Sequence, residues 1–198
     1  MGFKISAAIA IARTVLNDTE ATYRYSDADL LEYGNGCLRS LPNIKPDWLY
    51  TRADLTCVPG AKQSLSFDNA HALIRVIGIK GGAALTQFDR AALDAFMPAW
   101  ASATAAAAQQ WAAGDNPVSF YVYPPSANGQ ILETLYVKVP GPYTIDEDTG
   151  LPDTITEAVA DYIVGMAEAR DDEHVLSARS TQFINQFAAR LGGGTAKG

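Results

Sequence analysis

Apolar positions follow a helical period at both ends of the chain and a strand period in its middle. Ile5, Ile9, Ala12 and Leu16 recur at helical spacing and define one stripe of a first helix over about 3–17, stopped near Asn17-Asp18. Ser26 is a cap for a second helix, over about 27–41, because its hydroxyl can accept from the backbone N–H of Asp29. Asp27 and Asp29 add negative charge where the helix dipole favours it. Leu30, Gly34, Cys37, Leu38 and Leu41 share its inner face, and Pro42 and Pro46 end it by removing donors and restricting the preceding residues.

The middle of the chain alternates. Asp54–Cys57 and Lys62–Ser66 flank the turn Val58-Pro59-Gly60-Ala61 and read as a hairpin. Leu73–Ile79 is a β-branched strand broken by Gly81-Gly82, and Asp89 is placed to cap a short helix holding Leu93 and Phe96. Ala101–Ala113 is intrinsically helical, but Trp111 is its only large anchor, so an extended course stays equally open. Val118–Tyr123 and Gln130–Val139, rich in Tyr, Val, Phe and Leu, read as two strands around the loop Pro124–Gly129.

The last third returns to helices. Thr154-Ile155-Thr156-Glu157 fits a capping box for a helix over about 153–170 with a buried stripe of Ile155, Val159, Tyr162, Met166 and Ala169. A final helix over about 173–191 carries Phe183, Phe187 and Leu191 and stops at Gly192-Gly193-Gly194, leaving 193–198 as a flexible tail. The expectation is an α+β, mainly helical single domain over 1–192. Its N- and C-terminal helices pack as a bundle, with an antiparallel β region inserted at about 52–140.

Composition sets limits on function. With 48% hydrophobic and 19% charged residues the chain is an ordinary globular one. No apolar stretch approaches the roughly 20 residues a bilayer span takes, and the short run Ile5–Ala12 is interrupted by Arg13, so the start reads as an amphipathic helix rather than a signal peptide. Two cysteines cannot build a disulfide scaffold and point to synthesis in a reducing compartment. The net charge of −7 argues against a phosphate-binding module. Nearly all the imbalance falls in residues 141–198, with ten acids against four bases. An acidic face there repels nucleic acid and suits a basic protein surface, or simply keeps a helix solvated.

Motifs of catalysis are missing: the chain contains no G-x-S-x-G, P-loop, H-E-x-x-H or C-x-x-C. Gly34-Asn35-Gly36 lacks both the third glycine and the preceding strand of a dinucleotide loop. Asp171, Asp172, Glu173 and His174 are metal-type residues, but four in a row on a helix point in different directions. Asp146, Asp148 and Glu157 match positions 1, 3 and 12 of a calcium loop, whereas Leu151 stands where the turn glycine belongs. Cys37 and Cys57 read as small core residues, with a Cys57–His71 pair the one nucleophilic alternative. Tyr121, Tyr123 and Tyr136 are candidate interface anchors whose competing role is sheet packing.

The order of segments resembles that of tailed-phage head-to-tail adaptor (connector, or head-completion) proteins of the short-tailed type. The resemblance rests on Gln63-Ser64-Leu65-Ser66 with Asp68, Ala70 and Leu73, on Arg90-x-x-Leu93-Asp94, and on Pro98-x-Trp100. It continues through Pro117-x-x-Phe120-Tyr121-Val122-Tyr123-Pro124-Pro125, Leu151-Pro152-Asp153, Asp161-Tyr162, Asp171-Asp172-Glu173 and Phe187-x-x-x-Leu191-Gly192. It covers roughly residues 5–192.

The resemblance implies a structural virion protein at the head–tail junction, made in the host cytoplasm, with no catalytic residue, no cofactor, no metal and no membrane. Its implied partners are the portal protein, a tail tube or nozzle protein, and copies of itself in a ring, commonly of twelve, through which genomic DNA passes without specific binding. Phe183, Phe187, Arg190 and Leu191 become portal-docking candidates. Tyr121, Tyr123 and Tyr136 become candidates for a subunit or tail interface, the strands near Tyr123 and Gln130 adding to a neighbour's sheet. Asp146, Glu147, Asp148, Asp171, Asp172 and Glu173 become candidates for an acidic face or lumen. The competing readings are a distal tail-completion or fibre-attachment component, and a small hydrolase using Cys57 or the 171–174 cluster.

Overall fold

The computed structural model describes residues 2–20, 22–170 and 177–192. In chain order its elements are α1 (Ile5–Val15), α2 (Asp27–Ile44), β1 (Tyr50–Thr56), β2 (Gly60–Ser64), β3 (Ala70–Ile79), β4 (Thr86–Gln87) and α3 (Arg90–Phe96). There follow β5 (Gln110–Ala113), β6 (Ser119–Ser126), β7 (Ile131–Lys138), α4 (Thr156–Arg170) and α5 (Ser177–Arg190). Helix makes up 40% and strand 25%, with sheets of three and four strands. The expected mainly helical bundle is therefore corrected to an α+β protein. The chain divides into two compact units, Met1–Trp48 with Pro140–Gly198 and Leu49–Val139, because the middle segment has enough paired strands for a core of its own.

In the helical unit α4 packs against α1, α2 and α5. A helix covered on three sides has no single inner stripe. Ala158, Val159, Ala160, Ile163, Val164, Gly165 and Ala167 are all buried, whereas Tyr162 and Met166 of the expected stripe are half-buried and Ala169 is exposed. Small residues let the helices approach. A Cβ on Gly165 would lie 2.8 Å from Ile184 Cδ1 and 3.3 Å from the Ser180 carbonyl, and one on Gly34 would lie 2.7 Å from Ile5 Cγ2. Ser180 Oγ donates to the Gly165 carbonyl at 2.7 Å, closing the α4–α5 contact.

Local chemistry sets the helix ends. The Ser26 hydroxyl accepts from Asp29 N–H at 3.1 Å. α2 continues through Pro42 to Ile44, beyond the expected stop at 41: the ring forgoes one N–H, yet Lys45 N–H still donates to the Leu41 carbonyl at 2.7 Å. The capping box at Thr154 does not form; a 3-10 turn over Asp153–Ile155 leads into α4, and Glu157 instead accepts from Arg190.

Arg13, which in the sequence merely interrupts an apolar run, organises the α1–α2 connection. Its guanidinium donates to Asp18 and Asp27, both at 2.6 Å, and to the Tyr25 carbonyl at 3.1 Å, and it lies 3.8 Å from the Tyr23 ring centroid. Asp18 in turn accepts from Arg24 N–H (2.7 Å) and Tyr25 N–H (3.3 Å). Arg13 and Asp18 are both buried. Asn35 on α2 pins the 140s segment by exchanging two hydrogen bonds with the Tyr143 backbone, at 2.8 and 3.0 Å.

In the β unit the two sheets have orders β1-β7-β3 and β2-β6-β5-β4. The expected hairpin is thereby corrected, since β1 and β2 belong to different sheets; β6 and β7, the strands around Pro124–Gly129, do so as well. Their apolar faces meet in one core, where Leu55, Val76 and Leu132 of the first sheet pack with Trp111, Phe120 and Val122 of the second. Crossing between sheets lets consecutive strands cover both sides of that core. The region is not wholly antiparallel, since β4 runs parallel to β5. Ala101–Ala113 is not a helix: after a 3-10 turn at Trp100–Ser102 it runs along β6, with Ala106 N–H and Gln109 N–H donating to the Pro125 and Tyr123 carbonyls (both 2.9 Å), and ends in β5. Sheet pairing outweighs alanine's helical propensity there.

Two outcomes are expected for the helical unit. Arg13→Met leaves Asp18 buried without its cation and lowers unfolding free energy by about 3–5 kcal/mol, and adding Asp18→Asn recovers part of the loss; urea denaturation reads both. Gly165→Val drives a branched side chain into Ile184 and costs about 1–3 kcal/mol, partly restored by Ile184→Ala.

Candidate interaction surface

One surface of the β unit combines rigid support with exposed apolar atoms. α3 starts at Asp89, whose carboxylate accepts from Ala91 N–H (2.9 Å) and Ala92 N–H (3.4 Å). None of its residues is buried. Two polar ties hold it. Arg90 donates to Asp115 Oδ1 at 2.6 Å and lies 4.2 Å from the Tyr121 ring centroid. The Trp100 indole N–H donates to Asp94 Oδ1 at 2.6 Å.

Asp115 also accepts from the Tyr121 hydroxyl (2.8 Å) and Lys62 Nζ (3.3 Å). Its carboxyl is held at about 2, below the ordinary 3.8, first by the Arg90 hydrogen bond and then by those from Tyr121 and Lys62. Trp100, buried, meets Phe88, Tyr121 and Tyr123 edge-on at 5.7, 5.8 and 6.4 Å. At the end of this braced helix Phe96 is 86% exposed and Met97 46%. A shallow cavity of about 390 Å³ lies alongside, lined by Met97, Pro98, Ala99, Trp100, Ser102 and Ala103.

The candidates from sequence divide accordingly. Tyr121 and Tyr123 are half-buried and serve as supports of this surface, Tyr123 Oη lying 3.9 Å from Met97 Sδ. Tyr136 is buried and stacks on Phe67 at 5.0 Å within the core. The strands near Tyr123 and Gln130 are β6 and β7, interior strands paired on both sides, so neither offers an edge to a neighbour.

On α5, Phe187 is buried against Tyr162 at 5.1 Å and Phe183 is half-buried with Arg179 5.8 Å from its ring centroid, while Leu191, just past the end of the helix, is buried. Arg190 is exposed and donates to Asp161 (2.6 Å) and Glu157. Asp146 is exposed; Glu147 accepts from Thr144 N–H at 2.9 Å; Asp148 accepts from Gly2 N–H and Gly150 N–H, both at 2.9 Å. Asp148 thus fastens the N-terminal segment, beside backbone pairing of Phe3 with Thr149 and Leu151. Asp171, Asp172, Glu173 and His174, and the tail 193–198, lie outside the described residues.

The hydrolase alternative meets a physical obstacle at Cys57. It is buried in the core and burial pushes its thiol up, opposite to the activation a nucleophile needs. Asp146, Asp148 and Glu157 are each engaged elsewhere or exposed, and among the described residues no group of three or more His, Cys, Asp or Glu is placed to hold a metal ion.

Sequence reasoning singled out the tyrosines and passed over Phe96 and Met97. The available signal was α3 itself: an amphipathic stripe one turn long carries too little apolar surface to need Phe96 inside. Compared with protein-family models, residues 4–197 match the one described as SU10 adaptor protein. Among curated proteins, no match to the chain is found.

Because the Asp115 value lies below the ordinary one, the brace is complete above pH 3.8 and comes apart as the pH falls through about 2. Carboxyl-carbon NMR titration is expected to give that midpoint, and Arg90→Gln to move it up toward 3.8. Phe96→Ser is expected to leave the melting temperature unchanged, since the side chain buries almost nothing in its own chain.

Proposed function

The chain belongs to the SU10 adaptor protein family of phage adaptors, which are structural virion proteins, and from that membership we propose that it is a head-to-tail adaptor. Copies of it assemble as a ring beneath the portal, join capsid to tail and surround the path of the genomic DNA. The ring brings one patch of each copy against a different patch of the next. The protein acts by binding rather than by catalysis.

The observation that carries this reading forward is the braced projection of Phe96 and Met97. A braced apolar projection whose tip, Phe96, buries almost nothing in its own chain contributes when another protein covers it, and its pre-organisation spares the ordering cost of docking. The excess of acids in residues 141–198 suits a conduit: DNA slides past carboxylates and would be held by a track of lysines and arginines. Among the described residues, Asp146 and Glu147 are the acids we assign to that face or to a neighbouring subunit. Portal docking falls to the outer side of α5, with Phe183 and Arg190, because Phe187 and Leu191 are used inside the helical unit.

Mass photometry of the purified chain with the portal ring of the same phage tests the proposal. The expected result is a portal particle heavier by about a dozen 21.1 kDa subunits, with occupancy reduced by Phe96→Ser. A portal that gains no mass, together with binding to isolated tails, would shift the role to a distal tail component.

A further inference from the structure

The four sheet edges of the β unit are not equally protected. β3 slips register three times against β7, and its outer side already takes hydrogen bonds: Leu85 N–H donates to the Ile77 carbonyl (3.1 Å), Ile79 N–H to Ala83 (2.9 Å) and Leu73 N–H to Pro117 (2.7 Å). Bulges and covering segments are how sheets blunt their edges. β4 has two residues, and β2 has five with a bulge against β6. β1 is different: seven residues pair with β7 in unbroken register from Tyr50–Val137 to Thr56–Ile131.

Backbone alternation identifies its free side. Cys57 N–H donates to the Gln130 carbonyl at 2.7 Å and Lys80 N–H to the Ile131 carbonyl at 3.0 Å, so even-numbered residues of β7 face β1 and odd-numbered ones face β3. Thr51, Ala53 and Leu55 therefore bond to β7. The N–H and C=O groups of Tyr50, Arg52, Asp54 and Thr56 point away from it, and no backbone hydrogen bond reaches them outside the ladder among the described residues. The side chains of these four residues are exposed.

We propose that β1 pairs antiparallel with β1 of a second copy, about a twofold axis through Ala53, joining two three-stranded sheets into one of six. The register follows from parity and charge together. Complete overlap of Tyr50–Thr56 with itself sets Arg52 opposite the neighbour's Asp54 and Tyr50 opposite its Thr56. These are the residues whose backbone groups face outward, so each of the four facing pairs exchanges two hydrogen bonds.

Opposite charges then stand directly across the new seam, twice. Within one chain Asp54 sits opposite Glu133 on β7, two like charges side by side, with Lys80 donating to Asp54. Arg52 makes no ion pair among the described residues. In the dimer it reaches the neighbour's Asp54–Glu133 pair, beside a shallow recess of about 290 Å³ lined by Arg52, Ala53, Asp54 and Glu133. An isologous contact has no place between neighbours of a ring built on a single axis. The pairing thus belongs to the chain before incorporation, when it covers an edge that would otherwise recruit other strands.

Sedimentation equilibrium of the free chain is expected to give twice 21.1 kDa at high micromolar concentration. Arg52→Asp alone and Asp54→Arg alone are expected to be monomeric, since each sets like charges across the seam. An equimolar mixture of the two restores the dimer, because every facing pair is then of opposite sign. Hydrogen exchange of the unsubstituted chain is an independent readout: the amides of Tyr50, Arg52, Asp54 and Thr56 gain protection with rising concentration, and amides elsewhere do not. A wild-type chain that stays monomeric, a single variant that stays dimeric, or a mixture of folded variants that stays monomeric would overturn the pairing. Portal binding is measured separately and is unaffected by any of these results.

Discussion

The β unit depends on one core being shared between two sheets. Leu55, Val76 and Leu132 press from one side and Trp111, Phe120 and Val122 from the other, so neither sheet buries its apolar face alone. That requirement makes consecutive strands change sheets, and the change sets the fate of every other strand. β6 and β7 become interior strands, β5 and the alanine-rich run before it are drawn alongside β6, and β1 is left at an edge. Gln63 helps hold the first crossing, its buried side chain bonding to both backbone groups of Val58 and to the Gly60 carbonyl.

The same arrangement gives the α3 surface its rigidity. Asp115 follows β5, Tyr121 lies on β6, Lys62 on β2 and Arg90 on α3, so one carboxylate draws four elements of the β unit to a point. Charge-assisted hydrogen bonds around a single acceptor are directional, and Trp100 fills the space beneath them with ring contacts. The outcome is a projection whose apolar tip is free while its base is fixed. For a phage adaptor, which contacts other virion proteins, a fixed base means that binding does not first have to order the binding element.

In the helical unit small residues do the corresponding work. Gly165 lets α5 come close to α4 and Gly34 lets α2 come close to α1; eight of the fifteen residues of α4 are buried, as are Phe187 on α5 and Leu191 just beyond it. What α5 leaves exposed is mainly polar, with Phe183 half-buried and Arg190 committed to Asp161 and Glu157.

The sequence by itself determined what is local. The caps at Ser26 and Asp89 need only a side-chain oxygen and an N–H two or three residues away, and the order of helical and extended segments follows from the spacing of apolar residues. The order of its motifs was also enough to point to the adaptor family. What an apolar residue is buried against was decided only by the tertiary structure. Tyr136 and Phe187 read as readily as interface anchors as core residues, since an aromatic ring needs cover and its own periodicity does not say whose.

Strand partnership was equally illegible. β1 and β2 are adjacent in the chain and separated by a turn, yet pairing depends on which faces meet across the core. Ala101–Ala113, for which helix and extended chain were equally open, takes its conformation from β6 and not from alanine. The ion pairs of Arg13, and the convergence of Lys62, Arg90 and Tyr121 on Asp115, join residues that are remote in sequence. Electrostatic attraction acts through space, and only the folded chain sets those distances.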